Sequence, residues 1–109
     1  MIRFGELYFH EWFADVYSIL VENEEVGLIY YNEYIDHVDL CLLKFDNRFK
    51  DHEKEWAYES IKLLQSMFPG KRIEGITQEC MGTKFWEELG ASCNPDPDDE
   101  YFTIFNLDC

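Results

Sequence analysis

Residues 37–65 read HVDLCLLKFDNRFKDHEKEWAYESIKLLQ, and the spacing of the apolar residues changes within this stretch. Its first nine residues are rich in Val and Leu, and they predict a central strand that is covered on both faces of a sheet. The period then becomes helical, with apolar residues at Trp56, Ala57, Ile61 and Leu64. Pro69 and Gly70 end this pattern. The stretch therefore predicts a strand that leads into an amphipathic helix.

The segments on either side of this stretch complete the predicted order of elements. Strands are predicted over residues 2–12, 15–23 and 26–32 before it, and over 71–77 and 101–107 after it. Between the last two strands we predict a helix over residues 81–90 and an acidic turn over 93–100. The fold class is α+β: a mostly antiparallel mixed sheet with a β-α-β crossover and at least two helices, in one domain of residues 1–109.

Acidic residues outnumber basic ones by 23 to 9 in this chain of 109 residues, which gives a formal net charge of −14. Such a charge repels nucleic acid and anionic membranes and attracts basic proteins. We therefore expect a basic protein partner, with no direct nucleic-acid or membrane binding; the alternative is that the charge serves solubility alone. No apolar run of membrane length or leader pattern is present, so the expected location is the cytoplasm.

Two acidic groups are the candidate partner-binding residues. The first belongs to the long helix and consists of Asp51, Glu53, Glu55 and Glu59. The second belongs to the acidic turn and consists of Asp96, Asp98, Asp99 and Glu100. The cysteines form no CxxC pair and the histidines have no ligand spacing, so we expect no metal site. Acids near the strands, such as Asp36 and Asp39, are too numerous in this chain for any one to be assigned as a catalytic base.

Residues 15–107 resemble the GCN5-related N-acetyltransferases (GNAT). HVDLCLLKFDNRF and the helix after it are similar to the central strand and cofactor-binding helix of that family. RIEGIT followed by KFWEELGA resembles the next strand and an F-Y-x-x-L-G-[FA] helix end, and DDEYFTIF resembles the last strand. The first two helices that are usual in the family have no counterpart here. The resemblance thus implies a GNAT-like domain that lacks them.

The resemblance also implies where coenzyme A would bind: its pyrophosphate would lie in a [QR]-x-x-G-x-[GA] loop at the helix N-terminus. Arg48 takes the first position of this loop, and Arg48 and Lys50 are the candidate cofactor-binding residues if acetyl-CoA binds. Asp51 and Glu53 fall on the two glycine positions, where their charges oppose a pyrophosphate. With Glu55, they are predicted to cap the helix amides themselves. We therefore expect no cofactor.

The position of the tyrosine that serves as general acid in the family is taken here by Trp86, whose indole N–H is no acid of suitable pKa. We therefore predict a non-catalytic acidic binding or inhibitor protein. Its partner would be a basic, nucleic-acid-binding protein such as a host defence nuclease, as for inhibitors from phages or mobile elements. The alternative is an acetyl-CoA-dependent N-acetyltransferase that acts on a small amine or a basic protein. The aromatic residues Tyr8, Phe9, Trp12 and Phe13 are predicted to cover the sheet, or alternatively to form a homodimer contact.

Overall fold

The computed structural model describes residues 1–10 and 13–109, with the side chains of residues 8–10 left aside. The strands are β1 (Ile2–His10), β2 (Asp15–Val21), β3 (Glu24–Glu33), β4 (His37–Phe45), β5 (Arg72–Ile76), β6 (Ser92–Asp96) and β7 (Asp99–Asp108). The helices are α1 (Glu53–Met67) and α2 (Thr83–Glu88), and 3-10 turns span Asn47–His52 and Thr77–Glu79. In the described part of the chain, all strands form one sheet in the order β1-β2-β3-β4-β5-β7-β6.

The predicted α+β class and the β-α-β crossover are confirmed. Strands β4 and β5 pair in parallel, and the other neighbouring strands pair antiparallel. Helix α1 connects β4 to β5 and buries Ala57, Ile61 and Leu64 completely, which are residues that the helical period had placed inward. Helix α2 buries Phe85 and Trp86 in the same core. Both helices therefore pack against one face of the sheet.

The opposite face, which we call the helix-free face, has a much smaller apolar cluster. Ala14, Val16 and Tyr30 are buried there, with Leu28, Cys41 and Leu42 packed around them. The ring of Phe13 stacks on that of Tyr30, with 6.0 Å between the centroids. Phe13 therefore covers the sheet, as predicted. Tyr8, Phe9 and Trp12 lie outside the described side chains, and the homodimer contact stays a prediction.

The prediction of a turn over residues 93–100 is wrong, because β6 runs from Ser92 to Asp96 and only the residues between Asp96 and Asp99 form the turn. Pro95 fits this strand because β6 lies at the edge of the sheet, where a missing N–H donor is tolerated. Asp96 Oδ1 accepts a hydrogen bond from the Asp98 N–H at 2.9 Å. Asp99 Oδ1 accepts one from the Tyr101 N–H at 3.0 Å. Two of the predicted partner-binding acids thus shape the turn.

A bulge in β4 marks the point at which β4 and β5 separate. Tyr30 pairs with Leu42 and Tyr31 with Leu40, so Cys41 is an extra residue on β4. The pairing of β4 with β5 ends at the adjacent position, where Leu40 faces Gly75. The carboxyl ends of the two parallel strands therefore diverge, and a crevice of this kind is where ligands commonly bind in sheets with parallel strands.

Gly75 allows the last close contact between the two strands, and its replacement by alanine tests this geometry. An added Cβ would clash with the Leu40 carbonyl oxygen and with the Phe105 ring. We expect Gly75→Ala to lower the free energy of unfolding by about 1–3 kcal/mol, as overpacking does elsewhere. Urea denaturation measures this, with Glu24→Ala at an exposed strand position as the control, expected within about 0.5 kcal/mol of the parent. Equal effects of the two substitutions would contradict the packing.

Candidate functional site

The predicted cofactor loop is a 3-10 turn that uses its own amide groups. The Arg48 N–H donates to Asp46 Oδ1 at 3.0 Å, and the Phe49 N–H donates to the Asp46 carbonyl oxygen at 2.9 Å. At the other end of the turn, the Glu53 N–H donates to the Lys50 carbonyl oxygen. A diphosphate site at a helix N-terminus needs free N–H donors. In this loop, these three donors already have partners within the chain.

The predicted self-capping by Asp51, Glu53 and Glu55 is wrong. The N-cap residue of α1 is His52, whose side chain makes no capping hydrogen bond; its ring stacks on Trp56 instead, at 4.8 Å. Within residues 46–55, which the structure describes fully, the carboxylate that accepts a backbone N–H is that of Asp46. The reason is the 3-10 extension, because its i→i+3 bonds supply carbonyl partners to amides that would otherwise need side chains.

The two candidate cofactor-binding residues are exposed, and one of them is neutralised by a neighbour. Arg48 Nε lies 3.3 Å from Asp46 Oδ1, and its guanidinium lies 5.0 Å from the centroid of the Phe49 ring. Hydrogen bonds from the backbone and then the side chain of Arg48 hold the pKa of Asp46 below its ordinary value. Three amides of this loop are bonded within the chain, and Asp51 and Glu53 stand in place of glycines. That the loop binds no diphosphate stays a prediction.

The crevice between β4 and β5 is filled by Cys80. Its side chain is fully buried, and its thiol donates to the Leu40 carbonyl oxygen at an Sγ–O distance of 3.7 Å. Burial raises the pKa of this thiol well above its ordinary value, so it stays protonated at neutral pH. The carbonyl oxygen of Cys80 accepts a hydrogen bond of 2.6 Å from Trp86 Nε1. We call the segment 77–82 that carries Cys80 the plug.

Trp86, which the resemblance places where that family has its general acid, holds the plug in place. It is fully buried, and its ring stacks on that of Phe105 with 3.6 Å between the centroids. A second anchor comes from Gln78, whose side chain donates to the Tyr101 carbonyl oxygen and accepts from the Thr103 N–H. The pairing between β5 and β7 ends at Ile76, and through these two bonds Gln78 supplies partners to the next backbone groups of β7. Both contacts are structural, and neither places an acid in the crevice.

The predicted partner-binding acids lie on two separate elements. On α1 and the turn before it, Asp51, Glu55 and Glu59 are exposed and four residues apart, which places them along one side of the helix. Glu53 is half-buried. On the β6–β7 hairpin, Asp98 and Glu100 are exposed, whereas Asp96 and Asp99 are half-buried in the turn described above. The exposed members form two acidic surfaces, and partner binding by either stays a prediction.

A row of polar side chains crosses five strands on the helix-free face. Its members are in register on β3, β4, β5, β7 and β6, and they are Asn32, Asp39, Glu74, Asn106 and Ser92. We call this set the polar row. The rows on either side face the helices and are largely apolar, for example Leu40 and Phe105. Of the five residues in the polar row, the sequence analysis considered only Asp39, because the pairing of β4 with β5 cannot be predicted from either strand.

An ion-pair network borders the polar row but leaves Asp39 out. Glu74 Oε2 accepts a 2.9 Å hydrogen bond from Arg72 Nε, and the other oxygen lies 3.5 Å from His37 Nε2. Asp36 contacts His37 Nδ1 at 2.7 Å and Arg72 Nη2 at 3.6 Å. The carboxylate of Asp39 accepts a hydrogen bond from the thiol of Cys41, a weak donor, at 3.7 Å. Among the described residues, no Lys or Arg forms a salt bridge with it.

Burial, and secondarily the charge of Glu74, raises the pKa of Asp39 above its ordinary value. The same surroundings raise the pKa of Cys41 to about 12, again chiefly through burial. A carboxyl group whose pKa is higher in the folded state binds protons more tightly there than in the unfolded chain. The contribution of the Asp39 carboxyl group to the free energy of unfolding therefore falls as the pH rises from the ordinary carboxyl pKa of 3.8 through the raised pKa of the folded state. At neutral pH the charge of Asp39 opposes folding.

Comparison with solved structures shows that the chain has a GNAT-like fold. PaiA N-acetyltransferase from Thermoplasma acidophilum, solved in complex with coenzyme A, matches 86% of this chain with a TM-score of 0.59 and 15% sequence identity. The match covers 60% of PaiA, so this chain spans less than two thirds of that protein. Ard1 from Thermoplasma volcanium matches 84% of this chain and 67% of its own, with a TM-score of 0.49 and 14% identity. No protein-family model and no curated protein matches the sequence.

No helix of the described residues combines the length and the apolar character that crossing a bilayer requires.

Proposed function

We propose that this chain, which has a GNAT-like fold, is a non-catalytic binding protein for a basic protein partner. The observation that carries the proposal lies in the loop before α1, where Asp46 and the 3-10 turn accept hydrogen bonds from three backbone N–H groups of the loop. The filled crevice at Cys80 and the burial of Trp86 support the same interpretation. The net charge of −14 supports a basic partner. Nucleic-acid-binding proteins such as nucleases are the partner class that this charge suits best.

Acetyl transfer from acetyl-CoA to a small amine or a basic protein is the second candidate. One feature favours it: Lys54 and Lys84 line a cavity of about 220 Å³ between α1 and α2. Lys54 is paired there with Glu88, at 3.1 Å between Nζ and Oε2. Cations at this place suit the phosphates of a nucleotide cofactor. The proposal for a binding protein therefore needs a direct test against the cofactor.

Titration with acetyl-CoA separates the two candidates. We expect no heat of binding in calorimetry and no rise in melting temperature at a cofactor concentration of about 1 mM, because the loop amides and the crevice have internal partners. Binding with a Kd near 1 μM would stabilise the fold by about 4 kcal/mol at that concentration. Such a result would refute the binding-protein proposal. Asp51→Gly with Glu53→Gly is the matched variant. It introduces the two glycines but leaves Asp46 and the plug unchanged, so it too should not bind acetyl-CoA.

A further inference from the structure

Asp39 is a half-buried carboxylate, and no Lys or Arg within the described part of the chain forms a salt bridge with it. With Asp39, the acids of the network beside it, Asp36 and Glu74, make three carboxylates around the guanidinium of Arg72 and the imidazole of His37. Arg72 contacts Asp36 and Glu74, so its charge is already shared between two acids. Like charges opposite each other on adjacent strands destabilise a sheet, and here Asp39 and Glu74 are register partners. The negative charge of Asp39 therefore does not stabilise the folded sheet.

The side chains around Asp39 suit a planar cation with an apolar stem. The row beside the polar row on the same face includes Ile76 and Ile104, which are register partners and half-buried. The amides of Asn32 and Asn106 flank the two carboxylates within the polar row. Arginine combines a long apolar stem with a planar fork of donors, and it forms strong charge-assisted hydrogen bonds with carboxylates. It is also among the residues that contribute most to protein interfaces.

We propose that the helix-free face, centred on Asp39 and Glu74 of the polar row, docks a partner segment that presents an arginine side chain. The guanidinium would bond to Asp39 and approach Glu74 beside its contacts with Arg72 and His37, while its stem would lie on Ile76 and Ile104. This inference rests on the proposed function, since it names the surface and the side chain by which a basic partner is recognised. It assigns recognition to the sheet and leaves the two acidic surfaces to long-range attraction.

The test uses a short probe peptide, acetyl-Ala-Arg-Ala-amide, and follows the amide and carboxyl NMR signals of the intact protein at about 0.15 M salt. We expect the largest saturable changes at Asp39, Glu74 and Asn106. Asp39→Asn should weaken the affinity at least about tenfold, which corresponds to about 1.4 kcal/mol. Glu24→Gln is the matched control, because it removes the same charge from an exposed site outside both acidic surfaces, and it should change the affinity by less than about twofold. The same peptide with citrulline, a neutral analogue of arginine, should not bind.

Stability separates a docking role of Asp39 from a structural one. If the charge of Asp39 serves recognition and opposes folding, Asp39→Asn should raise the midpoint of urea unfolding at neutral pH, and the gain should vanish below the ordinary carboxyl pKa of 3.8. A lower midpoint would show that Asp39 holds the sheet together, and it would overturn the inference. So would changes that map to Asp51, Glu55 and Glu59, although binding to a basic partner would then stand. If no arginine peptide binds anywhere, the proposed function falls as well.

Discussion

Replacing Trp86 by alanine is expected to lower the free energy of unfolding by about 3–5 kcal/mol, the usual range for a large aromatic residue in a packed core. Trp86 is fully buried, its ring stacks on Phe105, and its Nε1 donates to the Cys80 carbonyl oxygen. The alanine variant loses the apolar burial and leaves a cavity. It also leaves the Cys80 carbonyl without its donor, beside the crevice that Cys80 fills.

Two further variants divide this effect into its parts. Trp86→Phe keeps most of the ring and removes the donor, so we expect a loss of about 1–3 kcal/mol from the buried carbonyl oxygen. Tyr58→Ala removes a half-exposed aromatic ring from the solvent side of α1 and should cost much less. Equilibrium urea denaturation followed by circular dichroism measures all three. A Trp86→Ala variant as stable as Tyr58→Ala would show that the plug is not anchored as described.

The second large effect concerns salt. A complex between this chain and an arginine-only peptide of about eight residues is expected to weaken at least about tenfold when the salt concentration rises from about 0.05 M to about 0.5 M. Attraction between exposed charges is screened over this range, in which the Debye length falls from about 14 Å to about 4 Å. Fluorescence anisotropy of a labelled peptide measures the affinity. A peptide of citrulline is the neutral control, and an affinity that does not change with salt would reject the electrostatic mechanism.

Neutralising variants show which acidic surface provides this attraction. The structure limits the choice, because Asp96 and Asp99 accept hydrogen bonds from backbone N–H groups and their loss would disturb the hairpin itself. Asp98→Asn with Glu100→Gln tests the hairpin, and Glu55→Gln with Glu59→Gln tests α1. Each pair removes two exposed charges, so their effects on the affinity can be compared directly. Equal effects would indicate a diffuse field, and unequal effects would identify the nearer surface.

Local sequence patterns predicted most of the fold, because most helices and strands can be recognised from the spacing of their own apolar residues. The helical period of α1 and the apolar run of β4 depend on neighbouring residues alone. Strand β6 was missed because Pro95 and the acids after it are turn signals in an interior strand, yet an edge strand tolerates them. The capping of α1 was predicted wrongly: its charged residues looked like caps, whereas the 3-10 turn before it supplies carbonyl partners to the amides. That turn shows no period of its own.

The candidate site was less predictable, because it depends on contacts between distant residues. Glu74 and Asp39 become neighbours through the parallel register of β4 and β5, which α1 separates in sequence. Cys80 gave no signal except that it lacked a CxxC partner, and its role follows from the gap that opens after Gly75. By contrast, the sequence alone shows that Asp51 and Glu53 stand at the two glycine positions of the GNAT loop pattern, because a residue type at a given position of a pattern can be identified directly.

The two helices cover one side of the sheet, and this division has an evolutionary consequence. Substitutions on the face that packs against the helices change the packing of Trp86, Phe105 and their neighbours, so most of them are removed by selection for a folded chain. Substitutions at exposed positions of the helix-free face change charge and shape with little loss of folding free energy. A chain of this design can therefore acquire a new partner by drift in a few strand positions while its architecture stays constant.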